Sequence, residues 1–187
     1  MTQKPKLIPV RVPWMVSSPP HFQTWKSGDG CLNAIAFIAF FKLETAKHPP
    51  EINSSTVAIV EAAPAFSPSG ISEGAPYRLV RILFDGTIYS AMRDEGEFSD
   101  DDFDWSAMPI DRTQVNSVSE YVKLGNRYLI ETSLSPTPRM YEVERSPLID
   151  KLVVNPQEYK HIVLVGEDHF FDVVARAWKW EPGQAVD

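Results

Sequence analysis

The segment "YRLVRILFDGTIYSAM", residues 77–92, shows most plainly how the chain folds. Two runs rich in β-branched and aromatic residues flank Asp85-Gly86, a dipeptide that supplies the positive φ angles of a tight turn. The segment therefore predicts two antiparallel strands joined as a β-hairpin. Four more segments predict strands: "STVAIVEAA" (55–63), "RYLIETSL" (127–134), "RMYEVER" (139–145) and "HIVLVG" (161–166).

The stretch from Cys31 to about Lys47 predicts a buried helix. Its apolar residues run almost all round a helical wheel, which is typical of a central helix rather than a surface one. Pro49 and Pro50 would end this helix, because proline has no backbone N–H and cannot continue one.

Two further helices are predicted in the second half of the chain. "TQVNSVSEYVKLG" (113–125) has helical apolar spacing and ends in Gly125, a residue typical of helix C-caps. Near the C terminus, "EDHFFDVVARAWKW" alternates poorly as a strand. As a helix it places Asp172 and Arg176 as a pair four residues apart, so it predicts a helix over about 169–180.

These elements give an expected fold class of α+β in a single domain, residues 1–187. A mostly antiparallel sheet is packed by the buried helix at about 31–47 and the C-terminal helix at about 169–180. Prolines cluster in the first part of the chain and predict an extended N-terminal arm, residues 1–26. An acidic-aromatic loop, residues 93–111, follows the predicted hairpin.

The composition narrows the classes of function. The 187 residues carry a formal net charge of −7, which disfavours nucleic acid as a partner because phosphate backbones require a basic surface. The single cysteine cannot form an intrachain disulfide, and prolines interrupt the N-terminal residues where a signal peptide would be apolar. A cytoplasmic location is therefore predicted. The longest apolar run, residues 34–41, is too short to span a bilayer, so no membrane contact is expected.

That cysteine, Cys31, lies in "SGDGCLNAIAFIAFFK" (27–42), at the start of the predicted helix. A helix N-terminus stabilises a thiolate, and the glycine-rich turn before Cys31 could expose one. A thiol enzyme also needs a histidine base. His169 is the best candidate, with Asp172 near enough in sequence to orient its imidazole. The competing interpretation is a structural cysteine, since free cysteine is among the most buried residue types.

The residues "CLNAI" (31–35) resemble the cysteine motif of some viral leader proteases of the papain-like class. This resemblance covers five residues. It implies a hydrolase or transferase with Cys31 as the nucleophile and His169 as the base. In papain-like folds the base opens a strand, whereas the pattern here predicts that His169 begins a helix.

The acidic-aromatic loop carries a second set of candidate residues. Aspartates alternate with aromatic rings, which provide contact area while the carboxylates steer a basic partner. Three aspartates have the spacing of a calcium loop, but a tryptophan stands where that loop needs glycine, so no metal site is predicted. The alternative to a partner-binding loop is a solvated loop that only keeps the protein soluble. The candidate binding residues here are Phe98, Asp100, Asp101, Asp102, Phe103, Asp104 and Trp105.

Trp14, in the N-terminal arm, has no periodic element to bury it and is a further candidate anchor for a partner. The sequence has no glycine-rich phosphate loop and no Cys/His metal spacing, so no cofactor is expected. These patterns favour an acidic binding or accessory protein that contacts a protein partner with a basic surface. A homo-oligomer or larger assembly fits the same patterns. The alternative is the thiol-dependent hydrolase or transferase.

Overall fold

The structure, a computed structural model, describes residues 3–16, 20–41, 77–94, 100–166 and 169–185. The predicted strand at 55–63 lies outside these residues. The described residues contain two five-stranded antiparallel sheets. In chain order the strands are β1 (Lys6–Pro9), β2 (Trp14–Met15), β3 (Gln23–Lys26), β4 (Leu32–Phe41), β5 (Tyr77–Asp85), β6 (Tyr89–Asp94), β7 (Met140–Glu144), β8 (Lys160–Val165), β9 (His169–Ala175) and β10 (Ala177–Ala185).

The first sheet has the strand order β1-β7-β8-β9-β6. The second sheet has the order β10-β5-β4-β2, and β3 also pairs with β4. Within the described ranges, the two α-helices are α1 (Val118–Thr132) and α2 (Pro147–Leu152). Single-turn 3-10 helices lie at Asp100–Asp102, Arg112–Gln114 and Pro156–Glu158. The molecule is thus a small domain of mostly antiparallel sheet, as the sequence predicted, with less helix.

The two strands predicted around Asp85-Gly86 are confirmed as β5 and β6. The predicted hairpin is wrong, because these strands do not pair with each other. β5 belongs to the second sheet and pairs with β10, whereas β6 belongs to the first sheet and pairs with β9. The register shifts by one residue at Arg176, whose N–H donates to the Asp85 carbonyl at 3.0 Å. β5–β6 and β9–β10 therefore form one bent two-stranded ribbon that passes from one sheet into the other.

Gly86 occupies the corner of this ribbon, with φ at 61°. A Cβ atom added there would lie 3.0 Å from Cδ of Arg176. The corner thus requires a residue that adopts a left-handed conformation and leaves space for the Arg176 side chain of the other strand of the ribbon.

The predicted helix at about 31–47 is wrong over its described part, because Leu32–Phe41 is the strand β4. The apolar pattern was misleading for a physical reason. β4 is central in its sheet, and a register shift opposite Trp25 and Lys26 places a bulge between Leu32 and Ile35. Both residues lie in the core between the sheets despite being three apart, which is a helical spacing. Residues 42–47 lie outside the described residues.

The predicted C-terminal helix at about 169–180 is also wrong. This segment forms β9 and the start of β10, separated by Arg176. β9 is buried on both faces from Phe170 to Ala175, so it lacks the alternation by which a half-buried strand is recognised.

Helix α1 extends further than the sequence predicted. Ser117 caps it by accepting the N–H of Glu120, and Ser133 ends it in a left-handed conformation. Gly125, the predicted C-cap, lies inside the helix beside Pro136. The predicted strand at 127–134 is therefore wrong, because most of it belongs to α1. The predicted strands at 139–145 and 161–166 are confirmed as β7 and β8.

The core lies between the two sheets and includes Trp14, Phe37 and Leu164. A smaller apolar cluster covers the opposite face of the first sheet, here called the outer face. It contains Leu7, Tyr141, Val143, Val163, Val165 and Phe170, with Phe103, Trp105 and Met108 packed against it. Among the described helices, neither is long and apolar enough to cross a membrane.

Candidate functional site

The acidic-aromatic loop is attached to the edge of the first sheet. Lys6 of β1 forms a parallel bridge with Asp104. The Leu7 N–H donates to the Asp104 carbonyl at 3.1 Å, and the Asp104 N–H donates to the Pro5 carbonyl at 2.9 Å. These backbone bonds hold the segment after residue 103 against the outer face.

The aromatic residues of this loop turn inward rather than outward. Phe103 and Trp105 pack on the outer-face cluster, and Trp105 meets Tyr141 edge to face with ring centroids 5.7 Å apart. Both side chains are half-buried, so part of the contact area that the sequence predicts for a partner is used within the fold. Phe98 lies outside the described residues.

The aspartates of the loop divide into two groups. Asp101 and Asp102 are exposed in the 3-10 turn that Asp100 begins. Asp104 is engaged within the fold, since its carboxylate accepts the Ser106 N–H at 2.9 Å and lies 3.5 Å from Nη2 of Arg145. The hydrogen bonds from Ser106 lower the pKa of Asp104, with the nearby positive charges adding to the effect.

A cavity of about 540 Å³ opens between this loop, the outer face and helix α1. Its floor is formed by buried residues, including Tyr141 and Ile110. Trp105 and Tyr121 are half-buried and form its sides, and Asp111 is exposed at its rim. The lining residues whose side chains the structure describes are mostly aromatic, apolar or hydroxyl-bearing. They are Trp105, Ser106, Met108, Ile110, Asp111, Thr113, Tyr121, Thr137 and Tyr141.

Asp111 is held in place by its own chain. Oδ1 accepts the Thr113 N–H at 2.9 Å and the Thr113 hydroxyl at 2.7 Å, and Oδ2 accepts the Gln114 side-chain amide at 2.9 Å. The Thr113 hydroxyl and N–H, followed by Gln114, lower the pKa of Asp111 below its ordinary value of 3.8. The cavity therefore presents a fixed negative charge at neutral pH.

A second cavity of about 340 Å³ adjoins the first and shares Ile110 and Asp111 with it. It lies between helix α1 and the segment before the helix, and its lining includes Arg127 and Glu131. The two cavities together surround the Ile110-Asp111 turn.

The structure does not bring Cys31, His169 and Asp172 together. Cys31 lies in the β3–β4 loop rather than at a helix start, and its N–H donates to Asp29 at 3.0 Å. Leu32, the residue after Cys31, donates its backbone N–H to the Ser90 hydroxyl at 2.9 Å. Ser90 lies opposite Val173 of β9, and His169 is four residues away from Val173 on that strand. At a strand rise of about 3.3 Å per residue, that offset is about 13 Å, beyond hydrogen-bond reach.

Asp172 orients a different histidine. Its carboxylate accepts from His161 Nε2 at 2.9 Å and from the Arg93 guanidinium at 2.9 Å. His169 instead lies 3.4 Å from Asp94. Asp172 and His169 are three residues apart on one strand, so their side chains point to opposite faces.

The hydrogen-bonded chain continues from His161 to Ser146, whose hydroxyl lies 2.8 Å from Nδ1. In the tautomer whose Nε2 donates to Asp172, Nδ1 accepts from that hydroxyl. Ser146 also caps helix α2 by accepting the Ile149 N–H at 3.2 Å. We call the four residues Arg93, Asp172, His161 and Ser146 the buried relay.

The buried relay shares its residue types with serine hydrolases, but its setting is structural. Ser146, His161 and Asp172 are each about 5% exposed or less. Ser146 is committed to both the helix cap and the imidazole. The relay fastens α2 to the outer face of the first sheet by satisfying buried polar groups. One sequence signal points to the buried relay: the Ser146-Pro147 pair, which is typical of a helix start.

Trp14 does not serve as an exposed anchor, because its side chain is fully buried in the core. Its ring meets Trp180 at 5.0 Å between centroids and Phe37 at 6.0 Å. β2 carries it into the second sheet, which the sequence did not predict because prolines surround this short strand.

Across the described ranges, no group of three or more His, Cys, Asp or Glu side chains is arranged to hold a metal ion. No protein-family model matches the chain, and no curated protein or solved structure is similar enough to count as a match.

Proposed function

We propose that this protein is a binding protein whose outer face contacts a basic segment of a protein partner. The observation that carries the proposal is the cavity between the acidic-aromatic loop and helix α1. It combines aromatic lining residues with a fixed carboxylate.

Charge around the cavity supports the same conclusion. Asp101 and Asp102 are exposed on the loop that forms one side of the cavity, and the chain as a whole carries a net charge of −7. Carboxylates at the rim of an interface accelerate encounter with a basic partner, and salt weakens that attraction.

The exposed face of α1 extends this surface with apolar area. Val118 is 80% exposed and Val122 is 51% exposed, one helical turn apart. Such side chains provide contact area next to the charged rim.

A panel of immobilised peptides of equal length, with increasing numbers of arginine and lysine, tests this function. We expect binding to rise with peptide charge and to fall between low and physiological salt. Replacing both Asp101 and Asp102 with Asn should weaken binding several-fold. The matched control, Asp85→Asn with Glu181→Gln, removes two charges from the second sheet and should bind as the wild type does. Binding that is independent of peptide charge would overturn the proposal.

The thiol-dependent hydrolase or transferase stays a prediction from the sequence. The Cys31-to-His169 offset along the sheet and the engagement of Asp172 by His161 do not favour it.

A further inference from the structure

The first cavity has the chemistry of a site for one organic cation. Trp105, Tyr121 and Tyr141 contribute aromatic rings, whose electron-rich faces attract a positive charge. The planes of Trp105 and Tyr141 are inclined at 80°, so the two rings form a corner rather than a flat wall. Asp111 adds a full negative charge at the rim.

The residues that line the cavity range from buried and largely apolar to exposed and polar. Tyr141 is 3% exposed and Ile110 is 9% exposed at the floor. Ser106, Asp111 and Thr113 are exposed at the rim and carry oxygen atoms that can accept hydrogen bonds. A ligand that fits this lining has an apolar stem and a cationic group that can reach the half-buried rings of Trp105 and Tyr121 and the Asp111 carboxylate.

An arginine side chain fits these features better than a lysine side chain. A guanidinium is planar and weakly hydrated, so it stacks on aromatic rings while its five N–H donors reach carboxylate and hydroxyl oxygens. An ammonium group is compact and strongly hydrated, and loses more by entering an apolar cavity. The volume, about 540 Å³, also leaves room for the backbone of neighbouring peptide residues.

We propose that the cavity lined by Trp105, Tyr121, Tyr141 and Asp111 binds an arginine side chain of the basic partner. This inference rests on the proposed function and names the residue that the site selects. Hydrogen bonds from Thr113 and Gln114 hold Asp111 in place and keep its pKa low, so the carboxylate is charged and oriented before a ligand arrives.

Three short peptides test the proposal: N-acetyl-Gly-Arg-Gly amide and its counterparts with citrulline or lysine in place of arginine. Citrulline keeps the shape of arginine but has no charge. Binding is followed by the NMR resonance of the Trp105 indole N–H, identified by comparison with Trp105→Phe. We expect the arginine peptide to shift this resonance in a saturable way and to bind at least fivefold more tightly than either counterpart.

Two variants locate the site. Asp111→Asn keeps the hydrogen-bond acceptor that orders the turn but removes the charge, and Tyr121→Leu removes a ring while keeping a good helix former. Each variant should bind the arginine peptide at least fivefold more weakly than the wild type does. The control Asp85→Asn removes one charge from the corner of the second sheet and should have no effect.

Equal binding of the citrulline peptide, tighter binding of the lysine peptide or an unshifted Trp105 resonance would each overturn the inference. If the longer basic peptides still bind in a salt-dependent way, only the arginine assignment fails. If they do not bind, the proposed function fails with it.

Discussion

His161 Nε2 lies 2.9 Å from the Asp172 carboxylate, and both side chains are buried on the outer face of the first sheet. The same carboxylate accepts from Arg93, which is partly exposed at the edge strand. One aspartate thus joins three neighbouring strands, because Arg93 lies on β6, Asp172 on β9 and His161 on β8.

Replacing Asp172 with Ala should strongly destabilise the protein. It leaves the partly exposed Arg93 guanidinium and the buried His161 ring nitrogen without their acceptor, and a buried hydrogen-bonding group left unsatisfied typically costs about 1–3 kcal/mol, more where a charge is involved. The control is Glu142→Ala, which removes an exposed partner of Lys160 and should cost less than about 1 kcal/mol. Urea denaturation monitored by tryptophan fluorescence measures both. Equal losses would show that the buried relay contributes no more than a surface pair.

Gly86→Ala should destabilise the corner of the ribbon. An alanine at φ 61° is in the left-handed region, which costs about 1–2 kcal/mol, and its Cβ would also crowd Arg176. In an Arg176→Ala background the loss should be smaller, because the crowding is relieved while the backbone cost remains. Gly28→Ala is the control, since a Cβ there meets nothing within 4 Å. Thermal denaturation of the wild type, the three single variants and the double variant tests this, and equal losses at Gly86 and Gly28 would contradict it.

Stability should fall as the pH falls through the acid range. Hydrogen bonds lower the pKa values of Asp29, Asp104 and Asp111 below 3.8, with Ser27, Ser106 and Thr113 as the leading partners. The unfolded chain therefore binds more protons than the folded one as the pH approaches the ordinary carboxyl pKa. The stabilisation is complete above that pKa and is lost as the pH falls through the lower, folded-state pKa values.

Urea denaturation at a series of pH values measures this dependence. A variant with Asn at positions 29, 104 and 111 should show a shallower loss of unfolding free energy below pH about 5, because these three groups no longer titrate. An unchanged slope would show that other carboxyl groups control acid stability.

His169 should have no influence on the reactivity of Cys31. The offset of about 13 Å along β9 is too long for His169 to accept the thiol proton. The rate of iodoacetamide alkylation in the native state, measured from pH 6 to 9, should be the same in wild type and His169→Ala. A rate at neutral pH that falls tenfold in the variant would instead support the thiol-dependent enzyme.

The parts of the fold that could be predicted from sequence are those with an unambiguous local pattern. β7 and β8 are short β-rich runs, and the two strands around Asp85-Gly86 were placed correctly. Their pairing could not be predicted, because a tight turn indicates a hairpin and the corner forms only when β9 and β10 are present as partners.

The failures have a common physical cause. β4 and β9 are buried on both faces, so neither carries the apolar-polar alternation that distinguishes a strand from a helix. In β4 the bulge also brings Leu32 and Ile35 to the same core, which imitates a helical repeat.

The site was predicted only in part. The acidic-aromatic loop does form one side of the cavity, and Trp105 and Asp111 lie within it. Tyr121 and Tyr141 were missed because they lie on α1 and β7, which approach the loop only in the folded chain. Sequence spacing carries no information on such contacts.

The bent ribbon has a consequence for how the molecule opens. Since β5–β6 and β9–β10 each run through both sheets, neither sheet can separate without breaking hydrogen bonds that continue into the other. The two sheets should therefore form one cooperative unit in amide hydrogen exchange, with Val174 and Trp178 losing protection together.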